Sequence, residues 1–120
     1  MKLKKTVKAQ QHLFQLAELI ATGFIPWKND FRKIPCIYAL YLEGSLQYIG
    51  STDNLLSRIG QHIHEGVKKF DDVRFYELPD FYYKTPAKRF QIEYTMISKL
   101  KPPLNLQGLT RFSIACKKYG

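Results

Sequence analysis

Two tyrosine-bearing triplets, Cys36-Ile37-Tyr38 and Tyr48-Ile49-Gly50, stand ten residues apart around a break at Glu43-Gly44-Ser45. Polar and apolar positions alternate on both sides of the break, which predicts paired strands over residues 36–42 and 46–50. Tyr38 and Tyr48 fall on opposite strands of that hairpin, so their phenol groups are expected to reach one surface and approach each other across it.

With 120 residues, 45% of them apolar and 14% aromatic, the chain suits one small domain with a real core. Nineteen Lys and Arg oppose ten Asp and Glu, a net charge of +9. That excess favours a polyanionic partner, nucleic acid ahead of an anionic membrane. The two cysteines, Cys36 and Cys116, argue against a disulfide framework and against a cysteine-built zinc site. The first five residues are charged like the start of an export signal, but residues 6–12 are polar where an apolar segment would have to follow. No run approaches the roughly 18 apolar residues of a membrane span, and a cytoplasmic, intracellular location is the expectation.

Residues 7–22 place Leu13, Leu16, Ala17, Leu19 and Ile20 at helical spacing, with Gly23 as a stop. This N-terminal helix is expected to pack on the domain, and a DNA- or partner-contacting arm is its alternative. Residues 23–27 read as a connection whose aromatics pack. After the hairpin, Ser51, Thr52, Asp53 and Asn54 offer caps for a helix reaching Glu65, ended by Gly66. Residues 73–78 form a third candidate strand, with Val73 and Phe75 facing one way and Arg74, Tyr76 and Leu78 the other. A further helix over 86–100 starts at Pro86 and cannot pass Pro102-Pro103. The expected architecture is a small α+β sandwich of a short sheet with helices. Residues 108–120 read equally as an added strand or a basic tail.

Four later residues carry chemistry. On the helix after the hairpin, Leu55, Leu56, Ile59 and Ile63 form the expected buried stripe, at about 100° per residue. Arg58 and His62, four apart, lie along its flank. An arginine fork binds phosphate oxygens and a histidine shuttles protons, although the same pair also suits a solvated helix flank. Glu93 interrupts the stripe Phe90, Ile97 and Leu100, where an unpaired buried carboxylate costs several kcal/mol. It needs a partner: an arginine, a tyrosine hydroxyl or a hard cation. A salt bridge to Arg58 is the structural alternative. Asn105 follows Pro102-Pro103-Leu104 at a sharp turn, where asparagine commonly bonds local backbone. Tyr41, Tyr76, Tyr82, Tyr83, Tyr94 and Tyr119 read as packing residues, and Trp27 as core or rim.

In order and spacing, the two triplets, Arg58, His62, Glu93 and the Pro-Pro-Leu-Asn105 ending resemble the GIY-YIG nuclease family over residues 35–105. The resemblance implies a short three-stranded, mainly antiparallel sheet flanked by helices. The catalytic domain would occupy 35–107, between an N-terminal helical extension at 1–34 and a tail or added strand at 108–120. It further implies a DNA endonuclease using one divalent metal, Mg²⁺ or Mn²⁺. Tyr38 would be the general base, with Tyr48 lining the site and His62 helping Tyr38 lose its proton. Arg58 would hold the phosphate, Glu93 the metal, and Asn105 would orient Glu93 or the phosphate. One departure stands out: Cys36 occupies the first triplet's glycine position, which serves strand geometry. Ser51, Lys68, Lys69, Lys84, Lys88 and Arg89 are candidates for backbone contact with DNA, joined by Arg74 and the N-terminal lysines. A catalytically silent DNA-binding module, or a subunit needing a protein partner or a second copy, is the alternative.

Overall fold

The computed structural model describes residues 2–28, 31–79 and 84–105, with side chains from His12 onward. The elements run α1 (Lys2–Gly23), β1 (Ile25–Pro26), β2 (Cys36–Leu42), β3 (Ser45–Thr52), α2 (Leu55–Glu65), β4 (Asp72–Glu77) and α3 (Pro86–Leu100). The three expected strands form one antiparallel sheet, joined by a fourth, the two-residue β1, in the order β1-β4-β2-β3. Residues 25–26, expected as plain connection, extend the sheet by pairing Ile25 with Phe75 and Pro26 with Arg74. A proline is tolerated there because β1 is an edge strand.

The β2–β3 hairpin turns at Glu43 and Gly44, both with positive φ (51° and 79°), as a two-residue turn matched to strand twist requires. Glutamate is an uncommon residue for this backbone region. Its amide donates to both carboxylate oxygens of Asp71, at 3.0 and 3.2 Å, which ties the turn to the start of β4.

Period-two alternation sorts the sheet into two faces. Ile37, Ala39, Ile49 and Leu78 pack with Leu16, Ala17 and Ile20 of α1 and with Ile92, Met96 and Ile97 of α3. Cys36, Tyr38, Leu40 and Phe75 face the other way, toward Leu55 and Ile59 of α2. Each such large aliphatic side chain contributes about 1.5–3 kcal/mol on burial. A 3.0 Å ion pair between Lys99 and Glu18 joins α3 to α1 at the rim.

Three expected faces shift. Leu19 is 56% exposed, and α1 is held by Leu16, Ala17 and Ile20 instead. On α2, Ile63 points outward at 66% exposure while His62 turns in at 4%; the polar hydroxyl of Tyr38 draws the imidazole into the interface. On α3 the core stripe is Ile92, Met96 and Ile97, leaving Phe90 60% exposed. Tyr94, expected to pack, is also exposed, at 64%. Tyr82, Tyr83, Tyr119, Cys116 and residues 108–120 lie outside the described residues. Among the described residues no helix is long and apolar enough to cross a membrane.

Candidate active site

Antiparallel register sets Tyr38 opposite Gly50 and Tyr48 opposite Leu40. The two phenols are therefore diagonal neighbours on the α2 face, with ring centroids 6.0 Å apart. Tyr38 is fully buried and its ring tip lies over Gly50. A Cβ built on Gly50 would stand 2.4 Å from both Cζ and the hydroxyl oxygen of Tyr38. The glycine of the second triplet is thus the floor on which the first triplet's tyrosine rests, a relation carried by strand register and invisible in either triplet alone.

The α2 helix delivers the next two groups. Asn54 caps it, accepting from the Ser57 amide at 3.2 Å, and Gly66 closes it in the left-handed conformation. His62 Nε2 lies 2.7 Å from the Tyr38 hydroxyl, and Arg58 Nε donates to the same oxygen at 3.4 Å. Arg58 also donates to Gln61 Oε1 at 3.1 Å, so Gln61 steadies the fork; no motif signals it, but the i, i+3 spacing permits it. The ring of Tyr48 meets His62 edge-on at 5.4 Å, and Lys68 sits 4.9 Å over the Tyr48 ring.

Proton positions follow from burial. Burial, reinforced by the charges of Lys68 and Arg58, lowers His62 to about 4, so the imidazole is neutral near pH 7. Burial, and then Tyr48, raise the Tyr38 phenol well above its ordinary value, with Arg58 pulling in the opposite direction. Tyr48 is raised by burial and by Glu93. Arg58 can only donate, so the phenolic hydrogen is directed to His62 Nε2 and the imidazole hydrogen to Nδ1. That Nδ1 is buried without a hydrogen-bond partner.

Glu93 approaches from the opposite face of the sheet. Its partner is neither an arginine nor a tyrosine: Oε2 accepts from Ser51 Oγ at 2.8 Å. Ser51 shares the parity of Ile49, so β3 carries it on the α3 face. Because β3 is the sheet edge, groups from both faces can meet beside it. Burial raises Glu93, offset by the Ser51 hydrogen bond and the charge of Arg58. No group of three or more His, Cys, Asp or Glu side chains converges among the described residues. Glu93 is half-buried and is joined through Ser51 to a neighbouring polar cleft, whose own wall carries the exposed carboxylate of Asp53.

That cleft, about 360 Å³, is lined on its polar side by Ser51, Thr52, Asp53, Asn54, Ser57, Arg58, Gln61 and Arg89. Arg89 Nε is buried without a hydrogen-bond partner. Of the other basic candidates, Lys88 bonds Gln91, Lys69 is exposed, and Lys84 is half-buried just before α3. Arg74 is engaged by Asp72 and the Tyr41 ring.

Asn105 makes its two side-chain hydrogen bonds to the backbone of β3. Its Oδ1 accepts from the Ile49 amide at 2.7 Å and its Nδ2 donates to the Ile49 carbonyl at 2.8 Å. The buried amide acts as a single-residue strand on the free edge of β3, satisfying two backbone groups that no neighbouring strand reaches. Cys36 is likewise structural: fully buried against Leu55 and Phe75, its thiol is pushed up to about 12 by burial.

Four of the six expected residues, Tyr38, Tyr48, Arg58 and His62, thus gather on one face, Glu93 reaches them around the edge through Ser51, and Asn105 secures the strand between. Comparison with curated proteins and with solved structures yields no match. The GIY-YIG catalytic domain matches residues 34–106, more than half of the 120-residue chain. On that match, with the paired tyrosines and the four later residues in the expected order, the chain belongs to the GIY-YIG family of nucleases.

Proposed function

We propose that the protein is a metal-dependent endonuclease that hydrolyses phosphodiester bonds in DNA. The observation that carries this reading is the convergence of His62 Nε2 and Arg58 Nε on the Tyr38 hydroxyl, beside a polar cleft lined by two arginines.

A phenol raised by burial is a poor base unless its proton can leave as it works. Neutral His62 supplies that exit. When Arg58 turns from the Tyr38 hydroxyl to the phosphate, the buried phenol oxygen gives up its 3.4 Å hydrogen bond and opens to the attacking water. The water gives it a proton as the phenolic proton passes to His62 Nε2. The water oxygen bonds to phosphorus, the opposite P–O bond breaks, and the leaving oxygen takes a proton from solvent. Arg58 binds the phosphate as negative charge builds on its oxygens, worth on the order of 2–4 kcal/mol, and Arg89 lies on the same cleft as a second cation. Tyr48 walls the site.

A half-buried Glu93, raised by burial and holding one hydrogen bond from Ser51, fits a hard cation bound through one carboxylate with water and phosphate oxygens completing its shell. When bound, Mg²⁺ or Mn²⁺ would polarise a phosphoryl oxygen and stabilise the leaving group.

The test is cleavage of supercoiled, linear and branched DNA by purified protein with Mg²⁺ or Mn²⁺. The expected result is nicking or cutting that Arg58→Ala abolishes while leaving the melting curve unchanged. Steeply salt-dependent binding to all three substrates without cleavage under either metal would instead indicate a silent binding module.

A further inference from the structure

A second cavity opens beside the cleft and shares a wall with it. Between α1 and α3 lies a groove of about 570 Å³ lined by Leu13, Phe14, Phe90, Gln91, Tyr94 and Thr95. Its three aromatic side chains are left open: Phe14 is 54%, Phe90 60% and Tyr94 64% exposed. Phe90 lines the polar cleft as well, so the two cavities meet at one ring, and Arg89 is its neighbour in sequence.

We infer that this groove receives an unpaired nucleobase of the bound strand, next to the phosphate that is cut. The inference rests on the endonuclease reading for the identity of the polymer, and goes beyond it in naming the form of the DNA. Three observations converge on this occupant. Solvent-open aromatic rings next to cationic groups are the combination that binds unpaired strands, where the phosphates follow the charge and the bases stack on the rings. The groove is not uniformly apolar: Gln91 and Thr95 also line it. Although Thr95 Oγ1 donates to the Gln91 carbonyl and Gln91 Oε1 accepts from Lys88, the Gln91 amide nitrogen keeps its donors and Thr95 Oγ1 its lone pairs for the polar edge of a base. Phe90 and Tyr94 are four residues apart on one helix, hence successive along one face with about 6 Å of rise between them. A base inside a duplex has both faces covered by its neighbours, so only an unpaired nucleotide, in a flap, bulge or frayed end, can use such rings. The polymer's charge also complements a chain of net charge +9.

The test is binding in the presence of chelator, so that no strand is cut, of a fully paired duplex and of the same duplex carrying an unpaired flap labelled with 2-aminopurine. For the wild-type protein the flap's fluorescence should be quenched on binding, and the flapped duplex should bind about tenfold more tightly than the paired one. Tyr94→Ala and Phe14→Ala, both at exposed positions on opposite walls, should remove the quenching and the tenfold preference while leaving the paired duplex's affinity and the melting curve unchanged. Unquenched flap fluorescence at saturating wild-type protein would overturn the proposal. So would an equal loss of affinity for both duplexes in the variants, or sedimentation showing a dimer that Tyr94→Ala dissociates, since the groove would then be covered by a second copy. Cleavage plays no part in these readings. Quenching and preference without cutting would overturn the catalytic reading alone, and cutting without either would overturn the groove alone.

Discussion

The Tyr38 hydroxyl and His62 Nε2 lie 2.7 Å apart in a buried site, and the imidazole is held neutral with its Nδ1 unpaired. The pair has a pH signature. His62 titrates at about 4 in the folded protein but at about 6.5 in an unfolded chain. As pH falls from about 6.5 to 4, the unfolded state takes up a proton that the folded state refuses, so stability contributed by His62 is lost in that window. Glu93, raised by burial, opposes this, because its protonation favours the folded state. Melting temperatures of wild type and His62→Gln, measured side by side from pH 7.5 to 4, should therefore diverge, with the variant losing less. Parallel curves would contradict the buried neutral imidazole.

Glu93 separates stability from chemistry. Replacement by glutamine keeps an acceptor for Ser51 Oγ and removes the buried charge. Glu93→Gln should melt at or above the wild-type temperature at pH 7.5, with the gain shrinking as the pH falls and the wild-type carboxyl, raised by burial, takes up its proton. Metal-dependent cleavage should fall by at least about a hundredfold, as expected when a charge-stabilising group is lost. Undiminished cleavage would overturn the proposed metal-binding role of Glu93.

Gly50 has no room for a side chain. Gly50→Ala places a methyl group 2.4 Å from the Tyr38 ring tip, and should destabilise by about 1–3 kcal/mol with loss of activity. Tyr38→Phe in the same chain should not restore stability, since Cζ is as close as the hydroxyl oxygen. Urea denaturation of the single and double variants checks both statements.

Asn105 is a strand-edge clamp, and the two ends of its amide can be tested separately. Asn105→Ala strands two buried backbone groups and should cost about 2–4 kcal/mol. Asn105→Asp keeps an acceptor for the Ile49 amide but turns the second oxygen on the Ile49 carbonyl, and should cost at least as much at neutral pH. Activity per folded molecule below the melting transition should change little. A variant that folds normally but does not cut would place Asn105 in the chemistry after all.

Strand pairing was legible in the alternation around residues 43–45 because a hairpin is a local object. The β1 addition was not, since two residues carry no period and Ile25-Pro26 pairs only because β4 lies alongside. On α2 and α3 the helical period located the helices but misjudged the faces at Ile63 and Phe90. Hydropathy ranks side chains singly, whereas His62 is buried by a hydrogen-bond partner 24 positions away.

The order and type of the main elements, the family, and the six candidate site residues could be read along the chain. These are properties of spacing and residue chemistry along the chain. How those residues meet is a matter of packing: Gly50 makes space for Tyr38, His62 is neutral against its hydroxyl, Ser51 rather than an arginine bonds Glu93, and Asn105 bonds the edge of β3. Each depends on distances across the sheet and on the exclusion of water, and both arise when separated segments are packed together.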